Sequence, residues 1–290
     1  MAKLKAHQPP MTVDEQIVNL REKGLIIENE DYARSFLKDV SYFRLIKAYS
    51  LGLKEKNGTY HENIRFEDIA NLYLFNSNFR QQLFIEIEKV EVNLRCRLSN
   101  WFCEKYGVLG YEDIDNFDVP PEIFTVFFDE IQKEIARNSR APFVRNFQDN
   151  YVDGKIPLYA LVELLSFGTL SKFYKNMRSE DKKAVSKMFG VGYTYFESWI
   201  ESMAYVRNIC AHYGRLYNNK LVKTPKLYKQ YAELGNDYIF ATLLTLKHIL
   251  PKDRHWHDFV QAIELLIEKY SSVNLCLIGF PQEWLVILTG

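Results

Sequence analysis

Apolar residues recur at steps of three and four along most of the chain, which is the spacing of one face of an α-helix. The longest such stretch runs from Phe66 to Tyr106 and repeats large apolar residues throughout. It predicts one long helix, which the polar triplet Asn76-Ser77-Asn78 could interrupt. Strands would instead alternate apolar and polar residues, and no such alternation recurs along the chain.

Shorter periodic segments lie on both sides of this stretch. Thr12 and Glu15 form a capping box that predicts a first helix as far as Gly24, and the segment 31–53 predicts one helix or two short ones before a loop at 54–63. Further helices are predicted at 121–138, 141–151, 158–176, 179–189, 193–212, 226–233, 236–250 and 253–270, with a short turn and helix in 275–288. The expected fold is all-α, with an N-terminal helical region at 1–60 and a helical domain at 61–290.

Charge and cysteine usage narrow the class of protein. The 37 acidic residues cancel the 37 basic ones, so a nucleic-acid site would have to come from local charge. The four cysteines show no CxxC spacing, as expected of reduced thiols in the cytoplasm. The N-terminal residues do not have the pattern of a secretory signal. The longest apolar run contains Lys247 and is well short of the roughly 20 residues that cross a bilayer. We expect a cytoplasmic protein with no membrane partner.

Candidate chemistry collects at the end of the predicted helix 193–212. At about 100° per residue, Asn208 and His212 share a helix face, whereas Arg207 and His212 lie about 140° apart. An imidazole can transfer protons near neutral pH, and a guanidinium holds phosphate by permanent charge. We therefore expect His212 to transfer protons, Arg207 to hold the phosphate and the Asn208 side chain to orient the His212 ring in metal-independent RNA cleavage.

The same residues have a plainer interpretation. One Arg-x4-His spacing arises easily by chance in a chain with this many arginines and histidines. His212 would then only complement the negative end of the helix dipole, while Arg207 would form a surface ion pair, with Glu201 as the expected partner.

A basic stretch follows the motif. Between Met203 and Ala232 the sequence has six basic residues and no Asp or Glu. We predict that unpaired RNA is bound here by Arg215, Lys220, Lys223 and Lys226, with Tyr213 stacking on a base. The alternative is an ordinary solvated face.

Two charged residues of the long helix are candidates for a supporting role. Glu91 and Arg95 are four residues apart, which predicts an intrahelical ion pair. The alternative is that one of them orients Arg207 or His212 from the neighbouring helix. No metal or other cofactor is expected, since His255 and His257 would point about 200° apart on a helix and no cluster of ligands accompanies them.

Several blocks of sequence together resemble a known family, the Abi-2 proteins of AbiD/AbiF type from bacterial abortive infection. The resemblance extends over nearly the whole chain and is carried by the opening Pro-Pro-Met-Thr-Val-Asp-Glu-Gln and by Lys23-Gly24-Leu25, Val40-Ser41-Tyr42-Phe43-Arg44-Leu45, Glu88-Lys89-Val90-Glu91-Val92-Asn93-Leu94-Arg95, Leu164-Leu165-Ser166-Phe167-Gly168-Thr169-Leu170-Ser171 and Val206-Arg207-Asn208-Ile209-Cys210-Ala211-His212.

This resemblance implies a HEPN-like helical bundle with an N-terminal extension and a metal-independent ribonuclease that acts as a toxin in phage defence. Arg207 and His212 match the HEPN pair, and Asn208 matches the polar position after the arginine. Because the chain holds one Arg-x4-His, the resemblance implies a homodimer with a composite site. RNA is the implied substrate, a small non-coding RNA the implied regulator, and DNA is not expected. The alternative is a helical module that binds RNA or protein without catalysis.

Overall fold

The computed structural model describes residues 9–251, 253–271 and 273–290. Over these residues the chain forms α-helices, short 3₁₀ turns and one π-helical turn, with isolated bridges but no β-strand, so the predicted all-α class is confirmed. The α-helices are, in order, α1 Val13–Glu22, α2 Glu30–Asp39, α3 Phe66–Tyr106, α4 Pro121–Arg137, α5 Pro142–Asn150, α6 Leu158–Leu161, α7 Phe167–Asn176, α8 Ser179–Lys187, α9 Tyr193–Ala211, α10 Phe240–Ile249, α11 Arg254–Lys269 and α12 Trp284–Thr289.

Helix α3 continues through the polar triplet that could have interrupted it. The Asn78 side-chain amide donates to the carbonyl of Leu74, 2.8 Å away, and so bonds back along the helix. Asn76 is buried in the same stretch. Because an asparagine side chain bonded in this way does not compete with the helical backbone, the helix has no need to break.

The stretch 31–53 was predicted to be one helix or two short ones, and it forms two, α2 and a π-helical turn at Phe43–Lys47. Two other segments differ from the sequence prediction. The stretch 158–176 is split into α6 and α7, because the side chain of Ser166 accepts from the Thr169 amide at 3.1 Å and caps a new helix. Lys229–Leu234 forms 3₁₀ turns in place of the predicted α-helix.

The chain divides into two compact units. The first consists of Met1–Phe79 with Leu265–Asn274, and the second of Arg80–Glu264 with Leu275–Gly290. A domain boundary was predicted near residue 60, whereas the two compact units divide within α3, between Phe79 and Arg80. Among the described residues of the first unit, α1 packs on α2.

The second unit is built around α9, which packs against α7, α8 and α10. The rings of Phe102, Phe117 and Phe173 pack with centroids 5.0–5.4 Å apart and form an aromatic core beside α7. Eight residues of α9 are buried, so the helix is fixed along most of its length. In the described part of the chain, no helix is long and apolar enough to cross a membrane.

Candidate functional site

Helix α9 ends in a Schellman motif that presents His212 to solvent. His212 is the C-cap, and the next residue, Tyr213, takes the left-handed conformation with φ 57°. The amide of Tyr213 donates to the carbonyl of Cys210 at 3.3 Å, and that of Gly214 to Ile209 at 2.7 Å. A Cβ on Gly214 would lie 2.7 Å from the Ile209 side chain, so the closure requires glycine. The backbone that carries the His212 imidazole is therefore held in one conformation.

Tyr213 occupies the position of this motif where glycine is usual. The left-handed conformation costs an L-residue about 1–2 kcal/mol. The Tyr213 side chain is 68% exposed, and its ring lies 5.7 Å from the guanidinium carbon of Arg80. Tyr213 is thus a strained, exposed aromatic residue directly after His212, and its base-stacking role stays a prediction.

The backbone strain at Tyr213 can be measured by comparing two variants. We expect Tyr213→Gly to unfold with a free energy about 1 kcal/mol higher than Tyr213→Ala, because both lose the ring but only glycine relieves the left-handed strain. Urea titrations of the two variants give this difference directly. Equal stabilities would show that the conformation at this position is unstrained.

Arg207 lies against α3, where a buried carboxylate holds it. Glu91 is 8% exposed, and its Oε2 is 3.3 Å from Nε of Arg207, whose side chain is 34% exposed. The other oxygen, Oε1, accepts from Arg95, which also donates to the carbonyl of Val162. The intrahelical pair predicted from the sequence is thus formed, and the alternative contact to Arg207 is formed as well. The predicted ion pair between Arg207 and Glu201 is wrong, because Glu201 pairs with Lys223.

The contact between Glu91 and Arg207 is an ion pair without a hydrogen bond. The Nε atom is buried and has no hydrogen-bond acceptor among the described residues. The guanidinium carbon lies 5.5 Å from the centroid of the Phe84 ring. One carboxylate between two guanidinium groups leaves the cluster of Glu91, Arg95 and Arg207 with a net positive charge, so an anion is attracted to it.

Two residues of this region were missed by the sequence analysis. Arg80, which is buried, and Phe84 precede Glu91 and Arg95 on α3 at helical steps of four and seven. At about 100° per residue, all four lie within about 60° of one another around the helix. The helical period was the signal that could have found them, but it does not show that α9 is the helix they face.

Asn208 does not make the side-chain bond that was predicted. Its backbone carbonyl accepts from the amide of His212 at 3.0 Å, as in any helix, but the two side chains form no hydrogen bond in this structure. The Asn208 side chain instead lines a cleft of about 320 Å³ between α7 and α9. Nor does any hydrogen bond or ion pair join the side chains of Arg207 and His212 within the described residues.

The basic stretch after α9 is partly neutralised by residues that lie just outside it. Lys220 pairs with Asp237 at 2.5 Å, and Lys223 pairs with Glu201 at 2.8 Å. Both carboxylates lie outside residues 203–232, so the count of acidic residues within the basic stretch did not include them. Lys226 and Lys229 are exposed and make no ion pair among the described residues, so they are the lysines of this stretch best placed to bind an anion.

Main-chain bonds attach this stretch to α9. The Trp199 indole donates to the carbonyl of Lys226 at 2.5 Å, the Lys226 amide donates to the Ser198 hydroxyl at 2.9 Å, and the Ser202 hydroxyl donates to the carbonyl of Lys223 at 2.9 Å. Arg215 donates to the carbonyl of Asn218 at 2.9 Å. These bonds use main-chain atoms of Lys223 and Lys226, so they do not depend on the lysine ammonium groups.

The other reactive side chains considered are the Cys210 thiol and the imidazoles of His255 and His257. Burial raises the pKa of the Cys210 thiol to about 12, against a smaller opposite effect of Arg80, so the thiol stays protonated at neutral pH and is a poor nucleophile. His255 contacts Lys89, and Nδ1 of His257 lies 2.9 Å from the backbone oxygen of Asp253. The two imidazoles therefore have separate surroundings.

A protein-family model matches the chain over residues 35–218, and that family is described as Abi-like protein. The match includes the whole cluster of Glu91, Arg95 and Arg207 as well as His212, and it ends before Lys220. Neither a curated protein nor a solved structure matches the chain. Because the matched residues make up more than half of the sequence, the chain belongs to the Abi-like protein family.

Proposed function

We propose that the protein is a metal-independent endoribonuclease of the HEPN superfamily, within the AbiD/AbiF group of abortive-infection proteins, and that it acts as a toxin during phage infection. The ribose 2′-oxygen attacks the adjacent phosphorus, the bond to the 5′-oxygen breaks, and the products are a 2′,3′-cyclic phosphate and a 5′-hydroxyl. His212 transfers the protons in this step and Arg207 stabilises the charge on the phosphorus oxygens.

The position of Arg207 is the observation that carries this proposal. Its guanidinium is charged, partly exposed, and anchored through its Nε side by Glu91. An arginine held in this way keeps its two terminal nitrogens for bidentate contact with a phosphate. His212 stands exposed five residues later, on a fixed helix end, and both residues lie within the Abi-like match.

We further propose that the active unit is a homodimer. Arg207 and His212 leave α9 about 140° apart, and no hydrogen bond or ion pair joins their side chains among the described residues of one chain. Two copies of α9 would bring two arginines and two histidines to one phosphate. RNA is the substrate, and we propose a small non-coding RNA as regulator.

Cleavage of a defined RNA tests the proposed activity. The full chain is incubated with a single-stranded RNA in EDTA, beside the same sequence made of DNA, and the ends of the products are analysed. We expect RNA fragments with 2′,3′-cyclic phosphate and 5′-hydroxyl ends, and intact DNA, because DNA lacks the attacking hydroxyl. RNA that is bound but never cut would contradict catalysis and support a non-catalytic RNA-binding module.

The ion pairs around the basic stretch predict an order of effects on RNA binding. We expect Lys226→Gln to weaken binding several-fold and to reduce the slope of log affinity against log salt by about 0.7, the value for one phosphate contact with a single strand. Lys220→Gln should have a smaller effect, because Asp237 already neutralises that lysine. Fluorescence anisotropy at several salt concentrations measures both. Equal effects of the two variants would argue against Lys226 as the main contact.

A further inference from the structure

The cleft beside Asn208 is a formed cavity next to the proposed catalytic residues. It is partly open to solvent and has a volume of about 320 Å³ between one face of α7 and one face of α9. This volume is at the lower end of small-ligand pockets, which measure about 300–1,000 Å³. It therefore suits one small planar group better than a duplex or a folded peptide. Asn208 follows Arg207 directly and lies one helical turn before His212, so a group bound here would be next to the scissile phosphate.

The lining of this cleft has charges of both signs. Lys172, Lys175 and Lys223 line it together with Glu197 and Glu201. Lys172 is paired with Glu130, and Glu197 with Lys182. Glu201 is held by Lys223, which lowers the pKa of its carboxyl group and keeps it ionised at neutral pH. Lys175 is exposed and makes no ion pair among the described residues. The cleft therefore offers a cation for a phosphate and an ionised acceptor for hydrogen-bond donors.

The remaining lining residues can hold a flat ring. The wall contains the aromatic side chain of Tyr205, which is partly exposed. On the α7 side, Gly168 has no side chain to fill the space, and the Ser171 hydroxyl donates to its carbonyl at 2.8 Å. That bond uses the hydroxyl proton of Ser171 and leaves its oxygen as an acceptor.

We propose that this cleft binds one unpaired nucleobase of the RNA substrate, stacked on Tyr205 and read along its edge by Glu201 and Asn208, with an adjacent phosphate on Lys175. This inference rests on the proposed ribonuclease function and adds a base preference to it. A carboxylate only accepts hydrogen bonds, so it favours bases with an exocyclic amino group: adenine, cytosine and guanine. Uracil has no amino group, and its one edge donor, N3–H, lies between two carbonyl oxygens that a carboxylate repels. The cleft therefore selects an amino-bearing base over uracil.

Blocking the cleft tests the proposal without relying on cleavage. A Cβ on Gly168 would meet only Ser166 Oγ, at 3.6 Å, so a side chain at this position fits the fold. Gly168→Leu extends its side chain toward the cleft, and Gly168→Ala is the matched control. Binding is measured by fluorescence anisotropy with 2′-O-methyl hexamers of cytidine and of uridine, which cannot be cleaved by 2′-oxygen attack.

We expect the wild type and Gly168→Ala to bind the cytidine hexamer at least fivefold more tightly than the uridine hexamer. Gly168→Leu should lose this preference while keeping a melting temperature close to that of Gly168→Ala. Glu201→Gln should weaken the preference for the cytidine hexamer without blocking the cleft. An unchanged preference in Gly168→Leu, or no preference in the wild type, would overturn the proposal. So would cytidine monophosphate binding as tightly as the hexamer, which would assign the cleft to a free nucleotide.

A cleavage assay with the same proteins separates this inference from the proposed function. A base preference that depends on Gly168, in a protein that cuts no RNA, would leave the nucleobase cleft standing and remove the catalytic role. Cleavage with no preference for the base next to the cut, unchanged in Gly168→Leu, would keep the ribonuclease and remove the nucleobase cleft.

Discussion

Replacing His212 with alanine is expected to reduce RNA cleavage by about 10³-fold, within the range of about 10² to 10⁴ that general acid–base catalysis contributes. The melting temperature should stay nearly unchanged, because the side chain is exposed and makes no hydrogen bond among the described residues. Initial rates on a labelled single-stranded RNA and a thermal melt measure the two quantities.

The matched control for this variant is His257→Ala, which also removes an exposed imidazole from the second unit. Its cleavage rate should equal that of the wild type. If His212→Ala cut RNA at the wild-type rate, His212 would have no role in proton transfer. If both variants lost activity, the loss would not be specific to the motif.

Replacing Glu91 with alanine is expected to lower the free energy of unfolding by about 3 kcal/mol, the lower end of what breaking a buried ion pair costs. The carboxylate is 8% exposed and faces two guanidinium groups, Arg95 and Arg207. Its removal leaves both without their counter-charge. Cleavage should also fall, by about tenfold or more, because Arg207 loses the anchor that orients it toward phosphate. Denaturant titration and cleavage rates provide the two measurements.

Glu88→Ala is the control for this prediction, since Glu88 is exposed on the same helix and makes no ion pair among the described residues. It should change stability by no more than about 0.5 kcal/mol. A double-mutant cycle between Glu91 and Arg207 isolates the contribution of their contact. If the two substitutions were additive in both stability and rate, Glu91 would not position Arg207.

Local sequence signals predicted most of the helices but only part of the site. Caps and apolar periods are local, so α1, α3 and α9 followed from a few neighbouring residues each. The break between α6 and α7 depends on the Ser166 cap, a signal present in the sequence but hidden by the apolar period on either side. The π-helical turn at Phe43–Lys47 has no comparable signal, because its spacing differs by only one residue from that of an α-helix.

The site depends on contacts between distant parts of the chain. Glu91 and Arg207 are far apart in sequence, and helical periodicity can show which face a residue occupies but not which helix it meets. The same limit explains why the ion pairs of Lys220 and Lys223 were not predicted, since their carboxylate partners lie outside the basic stretch. It also explains Asn208, which shares a helix face with His212 but has its side chain in the cleft beside α7.

The attachment of the stretch after α9 has a consequence for how this protein can vary. Trp199, Ser198 and Ser202 bond only to main-chain atoms of Lys223 and Lys226. A substitution of either lysine by another residue with a main-chain amide and carbonyl retains those bonds. The charge that this stretch presents to solvent can therefore change from one homologue or engineered variant to the next while the end of α9 that carries His212 keeps its place.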